Sequence, residues 1–239
     1  MLSIKNVSKT YKGSHKGVKN VSLTLQQGDI CAFIGANGAG KTTTIKSIVG
    51  IHSFDQGDIT LFDTKLNENP EQFKAMIGYS PDTPTVYPHM TGKAYIELIA
   101  SLYKLEEEEL NKSLAYLLKE LEFESAVHEL VSSYSHGMKQ RLVLISLFIH
   151  NPRLIILDEP FVGLDPNATH FLIHEMKNRA KKGAIILYST HVLEVAEKVC
   201  NKLMILNQGE VVVNDTMQNI TEHASLYERF REVTSHETS

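Results

Sequence analysis

Through residues 1–30 apolar positions alternate with polar ones, at Leu2 and Ile4 and again at Val21, Leu23 and Leu25, a period that predicts antiparallel strands. Gly28 and Asp29 supply the turn into the next strand. Ile30 to Ile34 is instead continuously apolar, which predicts a strand covered on both faces. It runs into a glycine-rich stretch in which a helix should begin, to end at Gly50. Further strands are expected near residues 59–62 and 76–79. From about residue 92 to 150 the period changes: Tyr95, Leu98, Ile99 and Leu102, then Leu110, Leu114, Leu117, Leu118 and Leu121, recur at helical spacing. Strand character returns at 154–157, 184–188 and 203–206 with helical patterns between, the βαβ arrangement of a parallel sheet. The expected fold is a single α/β domain over residues 1–239. Residues 1–82 and 150–239 form its β portion and core, and 83–149 form a helical subdomain inserted between them.

Composition narrows the function. With 239 residues, 42% apolar and 22% charged, the chain can bury a core without disulfides or metals and is not disordered in general. Lys+Arg 24 against Asp+Glu 28 leave a net charge of −4, so no broad basic field holds a phosphate backbone and no nucleic-acid partner is expected. Cys31 and Cys200 are the only thiols, a usage that suits a reducing compartment. Residues 1–13 lack the apolar stretch of a signal peptide, and no window approaches the roughly 18 apolar residues of a membrane span. The expectation is a cytoplasmic chain that does not itself cross a bilayer.

The chemistry lies where strands end. Gly35, Ala36, Asn37, Gly38, Ala39, Gly40, Lys41 and Thr42 read G-x-x-x-x-G-K-[ST] between an apolar strand and a helix, the setting of a P-loop. Its glycines let successive N–H groups turn inward around phosphate oxygens, and the helix N-terminus adds partial positive charge. Lys41 is expected to reach the β and γ phosphates, the Thr42 hydroxyl to ligate Mg²⁺, and Thr43 to complete the nucleotide-binding stretch. The apolar run 154–157 ends in adjacent carboxylates, which a parallel sheet presents at its ligand-binding edge. Asp158 suits the Mg²⁺ shell, and Glu159 suits orienting or deprotonating an attacking water. A P-loop alone leaves a GTPase or a kinase open, but the nearest stretch to a guanine-reading N-K-x-D, Asn201 to Met204, lacks the Asp.

Further motifs carry a family resemblance over essentially the whole chain. Ser135, His136, Gly137, Met138, Lys139, Gln140 and Arg141, shortly before Asp158 and Glu159, resemble the signature sequence of the ATP-binding-cassette (ABC) ATPases. Gly163, Leu164 and Asp165 resemble that family's D-loop, and Ser189, Thr190 and His191 its switch histidine. The resemblance implies ATP hydrolysis with ATP and Mg²⁺ bound, by two subunits paired head to tail as a homodimer or with a paralogue. Ser135 and Gly137 would then face the nucleotide of the other subunit, His191 the γ-phosphate, and Tyr11 the adenine. Gly78 to Asp82 resembles the Q-loop, with Asp82 where a Gln is expected near Mg²⁺, and His136 stands where the signature has a glycine.

It further implies a separate transmembrane permease as partner, with the chain held peripherally at the cytoplasmic side of the cell membrane. The groove after the Q-loop, with Pro84, Val86, Tyr87, Met90 and Tyr95, would receive a short helix of that permease. The segment from Pro81 to Pro84 is similar to ABC-2-type exporter ATPases, including the Ecs-type subunits, which favours export. The alternative is a soluble ABC ATPase of translation or DNA repair. Those usually have two cassettes or long heptad arms, and neither is seen in this chain. His170 and His174, four apart on a predicted helix, have the spacing of a metal pair but no third ligand, so they are expected on a solvated face, like the acidic run 106–109.

Overall fold

The computed structural model describes residues 1–11, 13 and 17–235, the last without its side chain. In chain order the strands are β1 (Leu2–Thr10), β2 (Gly17–Leu25), β3 (Ile30–Ile34), β4 (Gln56–Leu61), β5 (Thr64–Lys65), β6 (Ile77–Ser80), β7 (Leu154–Leu157), β8 (Ile185–Ser189), β9 (Lys202–Asn207) and β10 (Glu210–Thr216). The helices are α1 (Lys41–Ile48), α2 (Pro70–Ala75), α3 (Gly92–Leu102), α4 (Glu107–Glu120), α5 (His136–Phe148), α6 (Pro166–Lys181), α7 (Leu193–Val199), α8 (Met217–Thr221) and α9 (Leu226–Ser235).

One sheet is antiparallel, in the order β2-β1-β4-β5. The other has the order β10-β9-β3-β8-β7-β6, parallel except where β10 returns beside β9. The continuous apolar runs form its centre because both faces are covered. Cys31, Phe33, Ile156 and Leu187 join the cluster on the side of the antiparallel sheet. Ala32, Ile34, Ile155, Leu157 and Tyr188 join the cluster beneath the helices. Successive side chains point to opposite faces, so one uninterrupted run serves two cores.

The helical stretch lies where its period predicts, but it has no core of its own. Ile96 and Ala100 of α3 and Leu117 of α4 share one apolar cluster with the sheet residues. In α5 every residue from Leu142 to Phe148 is buried, so its second half is a core helix while its first turn stays near solvent. The first turn of α5 thus stands on a rigid support.

Candidate functional site

The P-loop leaves β3 and enters α1 through Gly40, whose φ of 107° is left-handed. A β-carbon there would approach Val18 Cγ1 to 2.5 Å, so only glycine lets the loop pack against β2. The first turn of α1 holds no acidic residue and no side chain caps it, which leaves its N–H donors and positive end to an anion. Lys41 is buried, with Nζ donating to the carbonyl oxygens of Gly35 at 2.5 Å and Ala36 at 3.3 Å. Burial pulls its pKa down, opposed by the charges of Glu159 and Asp158.

Asp158 follows β7 and is 1% exposed. Its Oδ1 accepts from the Ser189 hydroxyl at 2.5 Å, while Oδ2 is buried without a hydrogen-bond partner among the described residues. A buried, unpartnered carboxylate oxygen is costly unless a cation or water completes it, and this donor set fits Mg²⁺. Glu159 adopts φ 47°, its N–H donates to Ser189 Oγ at 2.9 Å, and its Oε2 lies 2.9 Å from His191 Nδ1. A cleft of about 480 Å³ gathers Tyr11, Ala36, Asn37, Gly38, Gly40, Lys41, Thr42, Thr43, Asp82, Asp158 and Glu159. The Tyr11 hydroxyl is 3.4 Å from that of Thr43, and its ring meets His52 edge-on at 5.9 Å.

Gly35, Ala39, His191, Ser135 and Gly137 are not among the residues lining that cleft. Gly35 and Ala39 lie within the loop, where Ala39 is buried, and His191 joins the site through Glu159. Ser135 and Gly137 occupy the start of α5, where the exposed Ser135 caps the helix by accepting from the Met138 N–H at 3.2 Å. Asp165 caps α6 by accepting from the N–H groups of Asn167 and Ala168, and it pairs with Arg141. The Ala168 bond first, then Arg141, hold its carboxyl below the usual range. His136 packs against Gly163, where a β-carbon would come within 2.5 Å of the imidazole. The histidine that replaces a signature glycine is therefore accommodated by a glycine in the D-loop.

Ser189 is the polar residue that motif spacing did not single out for the site. Leu157 pairs with Tyr188 across β7 and β8, so the next residues, Asp158 and Ser189, become neighbours. Only the strand order brings them together. The segment after β6 borders a cavity of about 160 Å³ with Tyr79, Pro81, Tyr95, Tyr103 and His150 in its walls. Around it Tyr87 is 59% exposed with its ring 6.1 Å from the buried Tyr95, and Pro84, Val86 and Met90 are half-buried. Among the described residues no helix is long and apolar enough to cross a membrane. His170 and His174 are exposed, the latter against Asn178, and among the described residues no group of three ligands could hold a metal.

Residues 18–162 match the protein-family model described as ABC transporter. The chain is 39% identical over 222 residues to the ABC-type transporter ATP-binding protein EcsA of Bacillus subtilis (strain 168), covering 93% of this chain and 90% of that protein. It is 32% identical to the SkfA peptide export ATP-binding protein SkfE of the same organism, covering 89% of this chain and 87% of that one. Among solved structures it resembles the dimeric post-hydrolysis state of the ATP-binding cassette MJ0796 bound to ADP and Pi. The TM-score is 0.80 and the identity 25%, over 91% of this chain and 99% of that one.

Proposed function

This chain belongs to the ABC transporter family and is one of its ATPases, and from that premise we propose that it energises a separate transmembrane permease for export. The observation that carries the chemistry is the pair of neighbouring acids with opposite surroundings. Asp158 is buried with one oxygen engaged and one unpartnered among the described residues, whereas Glu159 reaches the cleft beside an exposed histidine. Asp158 and Thr42 would hold Mg²⁺, with Asp82 near it, and the ion when bound would neutralise charge on the phosphates. Lys41 binds the β and γ phosphates, the loop from Gly35 to Thr43 cradles them, and Tyr11 stacks on the adenine. Glu159 orients the water and takes its proton, and His191 steadies that carboxylate and contacts the γ-phosphate.

The resemblance sets Ser135 and Gly137 against a nucleotide, and their place at the start of α5, away from the residues lining this cleft, supports the reading that each site is incomplete alone. Ser135 and Gly137 serve the nucleotide of a second copy or a paralogue in a head-to-tail dimer formed on ATP binding. The permease inserts a short helix at Tyr87 and its neighbours, which keeps the chain on the cytoplasmic face of the membrane. The name of SkfE and the segment from Pro81 to Pro84 support export over import. The test is nucleotide binding beside turnover. Lys41→Ala is expected to weaken ATP binding, and Glu159→Gln to leave binding intact while turnover falls by about 10³-fold or more. A Glu159→Gln protein that hydrolyses ATP at the parental rate would refute the assignment.

A further inference from the structure

Ser189 ends β8 and is fully buried. Its single hydroxyl does two things at once, donating to Asp158 Oδ1 at 2.5 Å and accepting the Glu159 N–H at 2.9 Å. We infer that Ser189 is a positioning residue for ATP hydrolysis, fixing the orientation in which the Asp158 carboxylate is offered to the divalent cation and holding the backbone of Glu159. The inference rests on the metal and water roles given above to Asp158 and Glu159.

A free carboxylate can turn about its Cβ–Cγ bond, and because its two oxygens are equivalent, what a partner fixes is the plane. With one oxygen engaged by Ser189, Asp158 cannot turn without breaking a charge-assisted bond, and the other, without a partner among the described residues, is left for the ion. Glu159 needs holding for a different reason. At φ 47° it sits in the left-handed region, where its β-carbon is disfavoured, and the Ser189 oxygen takes its N–H in that conformation. The Glu159 side chain then reaches His191. Register explains why this task falls to position 189: the Leu157 and Tyr188 pairing sets Asp158 beside Ser189 on the next rung. A bare packing role would ask only for a side chain of this volume. The hydrogen-bond role asks for an oxygen that both donates strongly and accepts.

Ser189→Ala and Ser189→Cys in the full chain separate the two, with Asp158→Asn as reference. The readouts are Mn²⁺ affinity in the presence of ADP, measured from the electron paramagnetic resonance of free Mn²⁺, ATP turnover at saturating Mg²⁺, and the unliganded thermal midpoint. Both Ser189 variants are expected to weaken Mn²⁺ binding about tenfold or more and to lower turnover by a similar factor. The cysteine variant, slightly larger and a weaker donor and acceptor, leaves no cavity and should melt closer to the parent than Ser189→Ala. A Ser189→Cys protein with parental Mn²⁺ affinity would overturn the inference by showing that volume suffices. Parental affinity in both Ser189 variants, with affinity lost in Asp158→Asn, would overturn it while sparing the role of Asp158. Parental affinity in Asp158→Asn would remove the role of Asp158 itself. Should Ser189→Ala fail to fold, Ser189→Cys alone decides.

Discussion

Replacing Gly163 with alanine tests the contact that lets His136 stand in the signature. Gly163 has φ +81°, and an L side chain in the left-handed region costs roughly 1–2 kcal/mol. The new β-carbon would also lie 2.5 Å from His136 Cδ2 and 2.9 Å from Nε2, so the ring must leave. Because His136 is exposed, it can swing into water, and the lost rotamer and contact cost about 1 kcal/mol. Gly163→Ala alone should therefore destabilise by about 2–3 kcal/mol, and the ring's share should vanish when His136 is glycine as well. His136→Gly by itself costs up to about 1 kcal/mol for glycine in the first helical turn. Urea unfolding of the parent, both single variants and the double variant closes the cycle. The expected coupling is about 1 kcal/mol, or roughly 2–4 °C in Tm for a chain of this size. Additivity within about 0.3 kcal/mol would refute the packing of His136 on Gly163.

Arg179 pairs with the buried Glu175 at 2.6 Å and also donates to Asn151 and the Phe148 carbonyl, so Arg179→Ala should cost about 3 kcal/mol, read by urea unfolding; a loss under about 1 kcal/mol would show the pair to be dispensable. Burial lowers the His150 pKa from 6.5, although its ring faces the carbonyl oxygens of Ile77 and Ser146. Below that value the unfolded chain takes up a proton first, so the contribution of neutral His150 is present above about pH 6.5 and is lost as pH falls toward the native value. Thermal midpoints between about pH 7.5 and 5.5 should fall less steeply in His150→Gln, and an unchanged slope would contradict this. Asp82 is exposed at the cleft with Asp158 and Thr42, so Asp82→Asn should shift the Mg²⁺ dependence of turnover more than ATP affinity; identical Mg²⁺ titrations would remove Asp82 from the metal's surroundings.

Much of the site is legible in the chain because its pieces are local. Glycines, Lys41 and Thr42 must be consecutive for one loop to wrap a phosphate, and β3 ahead of them must be apolar to sit at the sheet's centre. The same holds for Asp158 and Glu159 at the end of β7, and for Ser135 as the cap that opens α5. Helical period foretold α3 and α4 for a related reason: each buries one face, and the spacing along the chain is the imprint of that face.

Other features depend on residues far apart in sequence. Strand order joined Ser189 to Asp158 and gave a serine known only as part of the switch-histidine stretch a hydrogen bond to the Asp158 carboxylate and one from the Glu159 N–H. The crossing of loop and helix set His136 on Gly163 and tied Arg141 to Asp165. The second half of α5 was absorbed into the core beneath the sheet, which periodicity could not foresee because a helix buried all round has no polar face to mark it. The sequence by itself determined the P-loop and the paired acids after β7, since the donors and carboxylates there come from neighbours along the chain. Tertiary structure alone decided how the Asp158 carboxylate is oriented, because that orientation is set by a hydroxyl thirty-one residues away on an adjacent strand.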